Sequence, residues 1–320
     1  NNKRYMSLQQ IGRGGTSKVY KVLSQEGKIL ALKKIDINGS DKMAFQGYIN
    51  EINLLKHLKN NSRIIQLMDS EINRDTNSIY MVMECGEIDL AKLLQKEGKK
   101  ISISSIKMYW EQMLKAVHAI HEENIIHSDL KPANFLLVGG ALKLIDFGIA
   151  KTIPNDTTNI HRETQVYNFN KFYILKFIFI SRNNISRASD VWSLGCILYQ
   201  MVYGKPPFFR ENTIFKKFKA IVNINYLIAF SSDRNQFRLE SSQDQVMKHC
   251  LQREPKKRPT IPELLQQAFI HGKLFIYLYC IYFIYIFLKE YLLRFINLKY
   301  YIHILLFKLK KKKIFFLLLL

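Results

Sequence analysis

The 320-residue chain predicts an α+β fold, a small β-rich lobe with one helix followed by a larger, mainly helical lobe. Three observations carry this reading. Ile11 to Val22 reads I-G-R-G-G-T-S-K-V-Y-K-V, a glycine-rich tight turn, and the strand that follows ends in A-L-K at Ala31 to Lys33. Ile52, Leu55 and Leu58 then recur at helical spacing. Further on, Ser104 to His121 carries Ile106, Tyr109, Trp110, Met113, Val117 and Ile120 at the same spacing, which predicts a buried central helix rather than an aromatic binding stripe.

Gly12 and Gly14 let backbone amides approach phosphates with no side chain in the way. Ser17 stands where a third glycine is usual, so the turn alone does not separate a phosphate loop from an ordinary hairpin. An ammonium at Lys33 is suited to pairing with the α- and β-phosphates of a nucleotide. Strand alternation sends the adjacent Lys34 to the opposite face. Eighteen residues after Lys33 comes Glu51, and a Lys33–Glu51 ion pair would fix the ammonium. Asp41 is the expected N-cap of that helix.

Residues His127 to Asn134 read H-S-D-L-K-P-A-N, and twelve residues after Asn134 comes D-F-G at Asp146 to Gly148. This spacing suits phosphoryl transfer from ATP. Asp129, on a loop between two short strands, would take the proton from an attacking hydroxyl. Lys131 would spread charge at the transferring phosphate. The Asn134 amide and the Asp146 carboxylate offer the oxygen ligands that Mg2+ prefers. Leu130, Phe135, Leu136 and Leu137 would pack the loop on the core. Either motif alone occurs by chance, but both in order, with an apolar strand at Leu142 to Ile145 leading into the second, make chance a poor explanation.

From about Ser7 to Phe269 the chain resembles the eukaryotic protein kinases. Within them it is most similar to the monopolar-spindle, or threonine/tyrosine, dual-specificity kinases of the spindle checkpoint. That narrower likeness rests on M-V-M-E-C-G-E-I-D-L at Met81 to Leu90, I-I-H-S-D-L-K-P-A-N-F-L-L at Ile125 to Leu137 and L-K-L-I-D-F-G-I-A-K at Leu142 to Lys151. N-D-T-T at Asn155 to Thr158 and S-D-V-W-S-L-G-C-I-L-Y at Ser189 to Tyr199 add to it. Ser128, where most kinases carry arginine, is its most specific letter.

The resemblance implies a two-lobed kinase fold, with residues 1–86 as N-lobe and hinge and 87–270 as C-lobe. It implies an ATP site lined by Ile11, Gly12, Gly14, Val19, Ala31, Lys33, Glu51, Met83, Glu84, Gly86 and Leu136. Met83 would be the gatekeeper, and Glu84 to Gly86 the hinge whose backbone binds adenine. Asp190 would anchor the catalytic-loop backbone. Thr157, Thr158 and Thr164 lie where the family autophosphorylates. Without an arginine beside Asp129, ordering of a phosphorylated loop must rely on other contacts. Protein substrates, kinetochore partners and a nuclear or cytoplasmic location follow from the same likeness.

Two segments depart from the pattern. Tyr167 to Asn184 reads Y-N-F-N-K-F-Y-I-L-K-F-I-F-I-S-R-N-N, where the family has a segment ending in P-E-A. That missing glutamate normally pairs with the arginine at Arg258, which is therefore expected to lack its partner, at a cost of several kcal/mol for a buried guanidinium. Residues 271–320 form the second. Leu274 to Leu288 is fifteen residues without a charge, and Lys310 to Lys313 form a basic run. Read literally, 274–307 is a membrane anchor, although the first apolar run is shorter than the roughly 20 residues a spanning helix needs. Both segments consist almost entirely of residues whose codons are rich in A and T, and we read them as non-coding sequence carried into the chain.

The formal net charge is +22, of which residues 271–320, with nine Lys or Arg and one Glu, supply +8. The remainder is still basic, but no nucleic-acid motif accompanies it. Cys85, Cys196, Cys250 and Cys280 show no C-x-x-C pairing, which fits a reducing compartment. Asn1 to Gln10 is polar and reads as no secretory signal. The expected activity is ATP- and Mg2+-dependent phosphorylation of Ser or Thr, with Tyr implied by the resemblance. The alternative is a nucleotide-binding pseudokinase or scaffold, because the P-E-A segment is absent.

Overall fold

Short strands dominate the first 84 residues, and all but one of their pairings join strands adjacent in sequence. In the computed structural model, described residues are 3–40, 42–98, 101–147, 151–152, 186–230, 241–267 and 269–270. Strands β1 (Tyr5–Arg13), β2 (Ser17–Ser24), β3 (Ile29–Asp36), β4 (Leu67–Asn73) and β5 (Ser78–Glu84) form one antiparallel sheet in the order β1-β2-β3-β5-β4. Helix α1 (Lys42–His57) runs between β3 and β4, and its Ile52 and Leu55 are buried with Ile35, Ile79 and Met81 of the sheet. The expected N-cap, Asp41, lies outside the described residues.

The second lobe is mainly helical. Strand β6 (Ile88–Asp89) leads into α2 (Leu90–Glu97), where the Asp89 side chain accepts the Lys92 N–H at 2.9 Å and so caps the helix. Helix α3 (Ile103–Glu122) starts one residue before the expected Ser104, because Ser102 caps it by accepting the Ser105 N–H. Its Trp110, Met113, Leu114, Val117 and Ile120 are fully buried, as a central helix requires. Three further elements frame the site: β7 (Ile125–Ile126), β8 (Phe135–Val138) and β9 (Ala141–Leu144), with β6-β8-β9 as one small sheet and β7 paired with β10 (Lys151–Thr152).

Helix α4 (Arg187–Tyr203) packs Val191, Leu194, Ile197, Leu198 and Met201 into the same core. Gly195 lets α6 (Ser241–Cys250) approach it, since an added Cβ would stand 2.6 Å from the Cys250 Cβ. Helices α5 (Ile214–Val222) and α7 (Ile261–Leu265) are the remaining α-helices named among the described residues of this lobe. Among the described residues no helix is long and apolar enough to cross a membrane. Gly148, Thr157, Thr158, Thr164, the anomalous stretch 167–184, Cys280 and the tail 271–320 lie outside the described residues.

Candidate active site

The sheet register gathers the N-lobe residues. Cross-strand partners share a face of a sheet, and Gly12 pairs with Val19, Val19 with Lys33, and Lys33 with Met81, one row across four strands. Ala31 pairs with Met83 two residues along β3 and falls on the same face. Lys34 pairs with Tyr80 and its ammonium lies 5.6 Å from that ring, on the opposite face from Lys33. Neither Gly12 nor Gly14 adopts left-handed backbone; the turn is closed by the Gly14 N–H donating to the Ser17 carbonyl at 2.7 Å. A contact without any motif ties this turn to α1, where the Thr16 and Tyr48 hydroxyls lie 2.9 Å apart.

Lys33 Nζ donates to Glu51 Oε1 at 2.8 Å, with the Glu51 side chain only 4% exposed. Burial pulls the Lys33 ammonium down, but the carboxylates of Glu51 and Asp146 outweigh it and leave its pKa above the ordinary lysine value. Burial also raises the Glu51 carboxyl, which Lys33 opposes. Lys33 is thus paired with a carboxylate from α1 and also feels the charge of Asp146 in the segment after β9.

At the hinge, an added Cβ on Gly86 would stand 2.5 Å from Leu136 Cγ and 2.6 Å from the Leu137 carbonyl. Only glycine permits this approach. Glu84 donates its N–H to the Gln66 carbonyl at 3.1 Å, and its carboxylate is held by Lys143. Cys85 is partly buried, and burial raises its thiol pKa, which fits a packing residue better than a reactive one.

The loop after β7 is built on Asp190. This carboxylate is fully buried in α4 and accepts from the His121 ring (2.9 Å), the His127 N–H (3.0 Å) and the Ser128 N–H (2.9 Å). Burial alone would raise its pKa; the His121 hydrogen bond and charge, with the His127 ring and backbone N–H, hold it below the usual carboxylate range. Ser128 adopts a left-handed φ of 66°, and its buried hydroxyl has no hydrogen-bond partner among the described residues. Such backbone costs on the order of 1 kcal/mol or more, and the two hydrogen bonds to Asp190 over-determine it.

Asp129 follows, 8% exposed, with its N–H donating to His127 Nδ1 at 3.2 Å. Lys131 Nζ donates to Asp129 Oδ2 at 3.0 Å, so the two sit in one cluster. Asn134 is buried, and its Oδ1 accepts the Lys131 N–H at 3.1 Å. Its carbonyl accepts the Ile145 N–H at 2.7 Å, which brings the chain just before Asp146 against Asn134. Asp146 has a left-handed φ of 67°, and Phe147 is buried with its ring 5.6 Å from that of His127. An amide oxygen with a second lone pair beside a carboxylate is an all-oxygen donor set that fits a hard divalent cation.

Arg258 departs from expectation. It is 7% exposed and donates to three backbone carbonyls, Gln252 (2.7 Å), Ala188 (2.8 Å) and Arg253 (3.1 Å), with the Trp192 ring 4.9 Å away. Motif reasoning considered only a carboxylate partner, whereas a guanidinium with five donors is satisfied by carbonyls as well. Burial lowers its pKa to about 10, so it stays charged at neutral pH.

A sheet whose inner face joins a lysine to a helix carboxylate, combined with a helical lobe that presents an aspartate, a lysine and an asparagine on one loop, defines a two-lobed phosphotransferase domain. The chain belongs to the protein kinase domain family, whose model matches residues 5–270. It is 48% identical over 279 residues to the probable serine/threonine-protein kinase mps1 of Dictyostelium discoideum, an alignment covering 84% of this chain and 28% of that protein. It is 45% identical over 295 residues to the serine/threonine-protein kinase mph1 of Schizosaccharomyces pombe, covering 84% and 43%. To the dual specificity protein kinase TTK of Mus musculus it is 44% identical over 279 residues, covering 84% and 32%. The chain therefore spans less than half the length of these relatives. Their names give no support to the pseudokinase alternative, and the stretch 274–307 read as a membrane anchor lies outside the described residues.

Proposed function

We propose that the chain transfers the γ-phosphate of ATP to Ser or Thr hydroxyls of proteins, with Tyr accepted as well. The observation that carries this is the Asp129–Lys131–Asn134 loop on Asp190, with the Lys33–Glu51 pair within electrostatic reach of Asp146. Ile11, Gly12, Gly14, Val19 and Ala31 would cover the nucleotide from the sheet. Met83 would bound the adenine pocket, with Leu136 as its floor and the backbone of Glu84 to Gly86 as its edge.

Lys33 would hold the α- and β-phosphates, and Glu51 would hold Lys33. Asp129 would orient the attacking hydroxyl and accept its proton, while Lys131 balances charge on the transferring phosphate. Asn134 and Asp146 would hold Mg2+. Held there, Mg2+ would supply neutralisation of the charge on the phosphates. Residues 1–86 are on this reading the nucleotide-holding lobe and hinge, and residues 87–270 carry the loop chemistry and the protein substrate.

Similarity to dual-specificity and serine/threonine kinases favours autophosphorylation at Thr157, Thr158 or Thr164. It also favours a nuclear and cytoplasmic protein with kinetochore partners. The direct test incubates the chain with γ-labelled ATP, Mg2+ and a generic Ser/Thr protein substrate. Label on protein that requires Mg2+ supports the reading; nucleotide binding without any labelled protein refutes it.

A further inference from the structure

Gln66 lies in no motif and Lys143 stands three residues before Asp146 with no role of its own in the motif, yet both converge on the hinge carboxylate. Lys143 Nζ donates to Glu84 Oε1 at 2.8 Å and to Oε2 at 2.6 Å, from side chains 14% and 20% exposed. The Gln66 N–H donates to Glu84 Oε2 at 3.4 Å, and its carbonyl accepts the Glu84 N–H at 3.1 Å. The Gln66 side chain is itself fixed, with Nε2 donating to the carbonyls of Asn61 (2.9 Å) and Ile64 (3.0 Å) and Oε1 accepting the Asn60 N–H (2.9 Å).

Backbone bonds extend the cluster. Ile65 donates to the Leu144 carbonyl at 3.0 Å, and Leu144 donates to the Arg63 carbonyl at 2.9 Å. Three segments far apart in sequence are thereby tied at one point: the α1–β4 connection, the hinge, and β9, whose Lys143 precedes Asp146 by three residues. The pair is too enclosed to be the screened surface kind that contributes almost nothing. A half-buried carboxylate with both oxygens committed to one ammonium fixes where its backbone stands, because removing the ammonium leaves a charge with reduced access to water.

We propose that Lys143 and Gln66 are positioning residues for nucleotide binding, holding the hinge at Glu84 in register with the strand that leads to Asp146. Both act through Glu84 and β9, with no contact to the reacting atoms. The proposal rests on the ATP-site reading above.

The test measures Mg2+-ATP affinity and steady-state kinetics of the full chain carrying Lys143→Met, Lys143→Arg, Gln66→Ala, Glu84→Gln or the double change Glu84→Gln/Lys143→Met. Lys143→Met is expected to weaken ATP on the order of tenfold, as loss of a charged hydrogen-bond partner does, with KM rising more than kcat falls. Lys143→Arg should recover most of the affinity. The double variant should bind ATP no more weakly than Lys143→Met, since both changes remove one interaction. A folded Lys143→Met that binds ATP like wild type overturns the proposal, and so do strictly additive effects in the double variant. Should Lys143→Met fail to fold, Gln66→Ala decides, because it unpairs no charge: weaker ATP binding by a folded Gln66→Ala upholds the proposal and unchanged affinity overturns it. A wild-type chain that binds no ATP would bring down the site reading along with the proposal, whereas equal binding by wild type and variants brings down the proposal alone.

Discussion

Lys33 and Glu51 stand eighteen residues apart in sequence and meet at 2.8 Å, on a strand and a helix that no local contact would bring together. The pair couples the position of α1 to the face of the sheet that carries Val19 and Ala31. Lys33→Met should lower phosphotransfer about 100-fold or more, the scale of removing one preorganised donor at developing charge. It should also destabilise the fold by roughly 3–5 kcal/mol, because Glu51 is left buried and unpaired. Initial rates with labelled ATP, alongside urea unfolding, separate the two effects.

Asp190 predicts an acid limit to stability. Its folded pKa lies below the ordinary aspartate value, so the unfolded chain takes up the proton first. Its stabilisation is complete at neutral pH and is lost as pH falls from about 4 through the folded pKa. Asp190→Asn should lower stability at pH 7 by about 3 kcal/mol and flatten the stability curve on the acid side. Unfolding free energies between pH 3 and 7 check both parts.

Gly86 leaves no room for a methyl group against Leu136 and the Leu137 carbonyl. Gly86→Ala must shift the hinge away from β8, at roughly 1–3 kcal/mol. Weaker ATP binding is expected, with kcat on saturating ATP less affected. Calorimetric titration with Mg2+-ATP would detect it.

Arg258 ties α4 to the chain around Gln252 and Arg253 through three carbonyls. Arg258→Met should cost about 3 kcal/mol by removing three hydrogen bonds from a buried guanidinium to partly buried backbone. Thermal unfolding reads this directly, and the same experiment on Arg258→Lys should recover only part, since an ammonium lacks the planar fork.

Much of this site was legible before the fold. Asp129, Lys131, Asn134 and Asp146 stand in two short motifs, and Lys33 follows the apolar run Ile29 to Leu32, so local order was enough to find them, although the strand continues to Asp36 rather than ending at Lys33. Trp110, Met113 and Val117 were legible as core because α3 repeats with the helical period over five turns. What escaped were contacts made by side chains far apart in sequence with no shared motif. Glu84 with Lys143, Asp190 with the His121 ring and Thr16 with Tyr48 are of this kind. The Arg258 expectation failed because a motif names one partner, whereas burial demands only that every donor find some acceptor.

Asp129 serves phosphoryl transfer, on this reading, in a site that binds ATP without it. The most direct measurement compares wild type and Asp129→Asn in single-turnover transfer of label from γ-labelled ATP, with nucleotide affinity measured on the same samples. In Asp129→Asn a rate lower by about 10² to 10⁴ is expected at nearly unchanged ATP affinity. Equal single-turnover rates in the two proteins, at equal occupancy by ATP, would contradict it.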